Sequence, residues 1–127
     1  MDAIYGEWLS WLPVYEHKSD DTVRAYGQGL RRMLLYTDLS PADFRPQDLT
    51  QLVLTNAVRL MRGARRLDST GETVPVFSKA TLNQTLAAMR SFFDYCLAES
   101  LLDEAPSIRR IRKLTRLNED QIDPEYY

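Results

Sequence analysis

Between Ser78 and Gln84 the sequence places Lys79, Thr81 and Asn83 among apolar positions, and between Thr22 and Arg31 it places Arg24 and Gln28 in the same manner. These residue types suit one kind of chemistry, the non-covalent holding of a polyanion. Hydroxyls and a Lys ammonium bind phosphate oxygens, while Asn, Gln and Arg make paired hydrogen bonds to base edges in a major groove. Each set opens a helical pattern, where unpaired backbone N–H groups and the positive end of the helix dipole favour an anion. Every water-facing helix has a polar side, so the two sets outline a binding chemistry without naming the ligand.

Groups for covalent chemistry are scarce. His17 is the one histidine, and it sits among Tyr15, Glu16 and Lys18 in a loop setting, where a surface role fits better than that of a general base. No Cys/His set has zinc-ligand spacing, no glycine-rich phosphate loop precedes a helix, and a Ser/His/Asp triad cannot be assembled around His17. The carboxylate pairs Asp20/Asp21 and Asp103/Glu104 fall at helix ends, where they complement a dipole or face water. Cys96 lies on an apolar stripe, where a thiol behaves as a small hydrophobe. No catalytic residue, metal or cofactor is therefore expected, and the chain reads as a binder.

A chain of 127 residues supports one hydrophobic core. With 44% hydrophobic and 27% charged residues it falls in the globular class, away from disordered and membrane chains. Its apolar runs fall far short of the ~20 residues that span a bilayer, and no signal-peptide pattern opens it, so a cytoplasmic location is expected. The net charge of −2 speaks at first sight against a nucleic-acid partner. Distribution qualifies that sum. Glu119, Asp120, Asp123 and Glu125 follow Leu117 without any cation, which leaves residues 1–117 with all 16 basic residues and a mild basic excess. Arg59, Arg62, Arg65 and Arg66 form one basic cluster, and Arg109, Arg110, Arg112, Lys113 and Arg116 form a second. Solvated helix faces account for such runs as readily as a polyanion does.

The elements that would position these residues are helices. Strand-like alternation is nearly absent, whereas 3.6-residue periodicity recurs four times. The first pattern is Ile4, Trp8, Trp11 and Leu12, stopped by Pro13. The second follows a cap at Ser19 or Asp20 and runs through Val23, Tyr26, Leu30, Met33 or Leu34, and Thr37. Pro41 and Pro46 suit first helical positions, with Ser40 as a cap, so a third helix is expected from Pro46 with Leu49, Leu52, Val53, Ala57 and Leu60 buried. Gly63 ends it, and a loop of about 15 residues follows, long by ordinary connection lengths. Ser78 caps the strongest pattern, Leu82, Leu86, Met89, Phe93 and Cys96 or Leu97, which ends near Ser100. Pro106 and Ser107 then open a short basic segment with Ile108 and Ile111. The expectation is an all-α bundle of four to five helices over residues 1–116, with 117–127 an acidic tail or the start of a linker.

With these blocks in order, the chain resembles the core-binding domain at the N-terminus of tyrosine recombinases and phage integrases, a SAM-like helical domain. Ser19, Thr22 and Tyr26 match the first family block. Thr81, Leu86, Arg90, Phe92, Phe93 and Pro106 match the second, and the resemblance spans roughly residues 2–116. It implies a helical domain that packs on one side of double-stranded DNA while a separate C-terminal catalytic domain closes the clamp. The nucleophilic tyrosine and its arginine, lysine and histidine partners belong to that second domain. No such set occurs here, and Tyr126 and Tyr127 in the acidic tail are not read as nucleophiles. The loop 63–77 is longer than in the family, and Ala105 stands before Pro106 where asparagine is common. The basic segment from Arg109 falls where the family's interdomain linker begins.

From the resemblance and the residue chemistry together, Arg24, Arg31, Lys79 and Arg90 are expected at phosphates and Asn83 and Gln84 at base edges, with Thr22, Gln28, Ser78 and Thr81 beside them. The expected partners are double-stranded DNA and, on DNA, other recombinase subunits, without a membrane. The first helix with Trp8, Trp11 and Leu12 either covers the home core or docks on a neighbouring subunit. The competing functional class is a helical protein-interaction domain that keeps the fold without binding DNA.

Overall fold

Two serines start the two long helices by the same local device. The Oγ of Ser19 accepts the backbone N–H of Thr22 at 3.2 Å, and the Oγ of Ser78 accepts that of Thr81 at 3.0 Å; each satisfies a donor that a helix start leaves unpaired. The computed structural model describes residues 3–40 and 42–116. Their elements are α1 (Ala3–Tyr15), α2 (Asp20–Thr37), α3 (Gln51–Gly63), the strands β1 (Arg65–Leu67) and β2 (Thr73–Pro75), α4 (Lys79–Ala98) and α5 (Ile108–Leu114). The all-α expectation is met by five helices among the described residues, joined by one small hairpin. The expectations for the tail 117–127 and for Pro41 lie outside the described residues.

α2 and α4 form the centre of the bundle and run in opposite senses. Gly29 of α2 lies against Ala88, Tyr36 further along α2 lies against Phe77 just before α4, and Arg32 between them reaches Thr85. α1 crosses this pair: the Tyr5 hydroxyl donates to the Gly27 carbonyl at 3.0 Å, and Trp8, fully buried, meets Phe92 edge-on at 5.4 Å. Trp8 and Leu12 thus cover the home core, while Trp11 is half-buried against Tyr95. α3 and α5 pack beside each other and against α4. No described helix is long and apolar enough to cross a membrane.

The structure corrects four expectations. α1 does not stop at Pro13 but continues to Tyr15, because the ring points to solvent in the last turn and the Glu16 N–H still reaches the Leu12 carbonyl at 3.0 Å. Pro46 opens only a 3₁₀ turn, Pro46–Asp48; the helix itself begins after Thr50, whose hydroxyl accepts the Val53 N–H. α3 also turns a different face inward. Leu52 and Leu60 are 69% and 60% exposed; Leu49 and Ala57 are buried as expected, and Leu54, Val58 and Met61 join Ala57 in the core. The run Leu52–Val53–Leu54 fits two helical registers equally well, and packing against α2 and α4 selects the second.

Finally, the segment after Gly63 is no structureless loop. Arg65, Arg66 and Leu67 pair antiparallel with Pro75, Val74 and Thr73. The Asp68 carboxylate organises the turn by accepting the backbone N–H and the hydroxyl of Thr70 at 2.8 and 2.6 Å, and the N–H of Glu72 at 3.1 Å. Those hydrogen bonds, the Thr70 hydroxyl foremost, hold its pKa below the ordinary carboxylate value. Gly71 supplies the positive φ of 84° that the turn requires.

Candidate nucleic-acid interface

The antiparallel sense of α2 and α4 separates the two sets of sequence-predicted residues. Ser78, Lys79, Thr81, Asn83 and Gln84 lie at the end of the bundle where Tyr36 meets Phe77. Thr22 and Arg24 lie at the opposite end. Arg24 precedes Tyr36 by twelve positions along α2, or about 18 Å of helical rise. One compact site does not contain both sets.

The α2 set is also the less cationic. Asp20 and Asp21 occupy the first turn of α2, and the Arg24 guanidinium meets the Asp21 carboxylate at 3.1 Å on an exposed surface. The Thr22 hydroxyl accepts from Ser19 within the cap. Gln28 is exposed on the same outer stripe. Arg31 turns towards α1, where its Nε donates to the Tyr5 hydroxyl at 3.1 Å and its guanidinium lies 5.2 Å from the ring centre. Two carboxylates thus share this end of the bundle with Arg24.

The α4 set has different surroundings. The hydroxyls of Ser78 and Thr81 are hydrogen-bonded to each other at 2.9 Å in the cap, Lys79 is half-buried and Gln84 is exposed. Asn83 joins two elements, since its Oδ1 accepts from Nη1 of Arg112 on α5. Arg90, further along α4, is exposed. Arg32 lies beside this set: its Nη1 donates to the buried Thr85 hydroxyl at 2.7 Å, and its guanidinium is 5.9 Å from the Phe77 ring centre. That contact joins α2 to the first turns of α4.

Sequence reasoning named the two basic clusters but placed neither in the site. The fold brings them together. α5 starts beside the start of α3, where the Gln51 amide donates to the Ser107 carbonyl at 3.2 Å and accepts the Ser107 N–H at 2.7 Å. It ends beside the end of α3, where Arg62 donates to the Thr115 carbonyl. No Asp or Glu occurs in residues 49–67 or 105–118, which carry four and five cations respectively. The signal available in the sequence was this absence of carboxylates rather than the arginines themselves. Folding packs α3 and α5 of these two acid-free stretches side by side, and Arg112 of the second reaches Asn83 of α4.

The side chains named at this candidate site are cations, hydroxyls and amides. No group of three or more potential metal ligands occurs among the described residues. Among the described residues, the two titratable side chains with strongly raised pKa values, Tyr95 and Cys96, are buried in the core.

The family model of the phage integrase N-terminal SAM-like domain matches residues 6–100, from the first turns of α1 to just beyond α4. No curated protein and no solved structure matches the chain. The order of the helices, the capped starts of α2 and α4 and the buried Phe92 and Phe93 agree with that match, which covers most of the sequence. The chain belongs to the family of phage integrase N-terminal SAM-like domains.

Proposed function

We propose that this chain is the DNA-binding module of a site-specific tyrosine recombinase or integrase and grips one side of the duplex at the recombination site. The observation that carries the reading is the meeting, within an integrase-family domain, of the α4 N-terminus with the acid-free α3–α5 face. Lys79 contacts phosphate. Asn83, oriented by Arg112, and Gln84 present amides to base edges. Arg90 and the outer stripe of α2, with Arg24, Gln28 and Arg31, reach the same duplex only when it lies along the α2–α4 pair, whose ~18 Å offset equals roughly five base-pair steps. Strand cleavage belongs to a separate catalytic domain, and the role of this chain is binding, in the cytoplasm and alongside other subunits assembled on DNA.

The test is a titration of labelled duplex, including DNA flanking the gene, at several salt concentrations. With half a clamp, non-specific dissociation constants on the order of 10⁻⁴ to 10⁻⁶ M are expected at physiological salt. Lys79→Ala should weaken binding to every sequence and flatten the salt dependence by about 0.9. Gln84→Ala should cost roughly 1–3 kcal/mol at the cognate site alone. If the chain fails to bind even at low salt, the protein-interaction class becomes the better account.

A further inference from the structure

Where α3 and α5 end together, Arg59, Arg62, Gly63, Leu114, Thr115 and Arg116 line an open hollow of about 380 Å³. Its two halves come from parts of the chain more than fifty residues apart, and the α5 half lies beyond residue 100, outside the family match. Three arginines border it and no carboxylate does. Gly63 leaves the hollow open, since a Cβ there would meet no atom within 4 Å.

The three arginines are not equivalent. Arg62 spans the floor, holding the Thr115 carbonyl and so fixing the end of α5 to the end of α3. The side chains of Arg59 and Arg116 make no hydrogen bond or ion pair with any described residue. This contrasts with Arg24 on Asp21, Arg45 on Asp48, Arg31 on Tyr5 and Arg32 on Thr85. Helix C-termini repel anions, but each contributes only about half a charge, and three full guanidinium charges outweigh two such ends. Guanidinium groups present forked donors that match phosphate oxygens.

We propose that this hollow seats a backbone phosphate of duplex DNA, held by Arg59 and Arg116 with Arg62 as the floor. The site rests on the DNA-binding reading above and deepens it by adding an anchor apart from the N-termini of α2 and α4. Arg112, four residues before Arg116, holds Asn83 of α4, so α5 links the hollow to the helix that carries Gln84. Arg59 and Arg116 fix position on the duplex, because phosphate contacts carry no sequence information.

The experiment measures the salt dependence of duplex binding for the full chain, with wild type, Lys79→Ala, the pair Arg59→Gln with Arg116→Gln, and the pair Arg59→Lys with Arg116→Lys. Melting curves should coincide for wild type and both pairs, as neither side chain has a described partner. Loss of two phosphate contacts should lower the slope of log K against log salt by about 1.8 in the Gln pair, equally for all DNA sequences, and the Lys pair should restore most of it. If the Gln pair keeps the wild-type slope while Lys79→Ala flattens it, the hollow is not the anchor and the DNA-binding reading stands. If wild type itself does not bind duplex at low salt, both fall. If the Lys pair binds no better than the Gln pair, a charge-based seat at this position is overturned.

Discussion

A Cβ placed on Gly29 would lie 2.7 Å from the Cβ of Ala88, so α2 and α4 approach almost backbone to backbone at this point. Cβ atoms do not come so near to one another. Gly29→Ala must therefore push apart the two helices that carry both predicted half-sites. Overpacking of this kind costs about 1–3 kcal/mol, against a gain of up to ~1 kcal/mol from better helix propensity. The expected result is a net loss of stability, read as a fall in melting temperature of about 4–8 °C per kcal/mol lost. Gly63→Ala is the contrast. It meets open space at the end of α3 and should leave stability unchanged or raise it by ~0.4–1 kcal/mol. Equal effects at the two glycines would contradict the close approach.

The register of α3 is checked by a second pair of substitutions. Phe92 is fully buried and touches the rings of Trp8, Phe44, Phe93 and Tyr95, so Phe92→Ala should cost about 3–5 kcal/mol. Leu52 is 69% exposed, and Leu52→Ala should stay within ~0.5 kcal/mol of wild type. Urea denaturation measures both. A Leu52→Ala loss approaching that of Phe92→Ala would return α3 to the register in which Leu52 is buried.

Stability should fall on the alkaline side. Burial, followed by the hydrogen bond and charge of Glu7, pushes the Tyr95 hydroxyl from 10.0 up to about 12, and burial pushes the Cys96 thiol from 9.0 to about 12. The folded state therefore favours the protonated form of both groups. Their contribution is complete below the unfolded-state values and is lost as pH rises through the window up to about 12. The urea midpoint should be flat near neutrality and decline above pH 9.0. Tyr95→Phe should flatten the upper part of that decline. The native Cys96 thiol should resist a disulfide reagent until the chain unfolds.

What could be read in advance depended on whether information was local. Ser19 and Ser78 were legible as caps because a cap is a contact between residues three apart, and the Leu82–Leu86–Met89–Phe93 stripe was legible because its spacings of four, three and four follow the helical period over three turns. α3 was ambiguous because its apolar residues cover two faces, and the choice between them is made by α2 and α4. The hairpin escaped notice because three-residue strands leave almost no alternation to detect, although Asp68, Thr70 and Gly71 are turn residues.

The candidate site divides along the same line. Residue types and helix starts suggest polyanion contact, but nothing local shows that α2 and α4 run in opposite senses, so the distance between the two sets is not legible in the sequence. Nor does sequence show that Arg31 turns to Tyr5, or that Arg62 and Thr115 meet across 53 positions. Both are consequences of packing.

The paired tethers on α5 also determine how the domain comes apart. A helix of seven residues is too short to persist in water by itself, so its order depends on Gln51 holding Ser107 at one end, Arg62 holding Thr115 at the other, and the burial of Ile108 and Ile111 between them. Amide protons of α5 should therefore exchange through a local opening of lower free energy than the one that frees α4. A ligand that occupies only the closed form would slow exchange selectively in α5, in proportion to its saturation. Thus the last described helix serves as an internal gauge of occupancy, readable amide by amide.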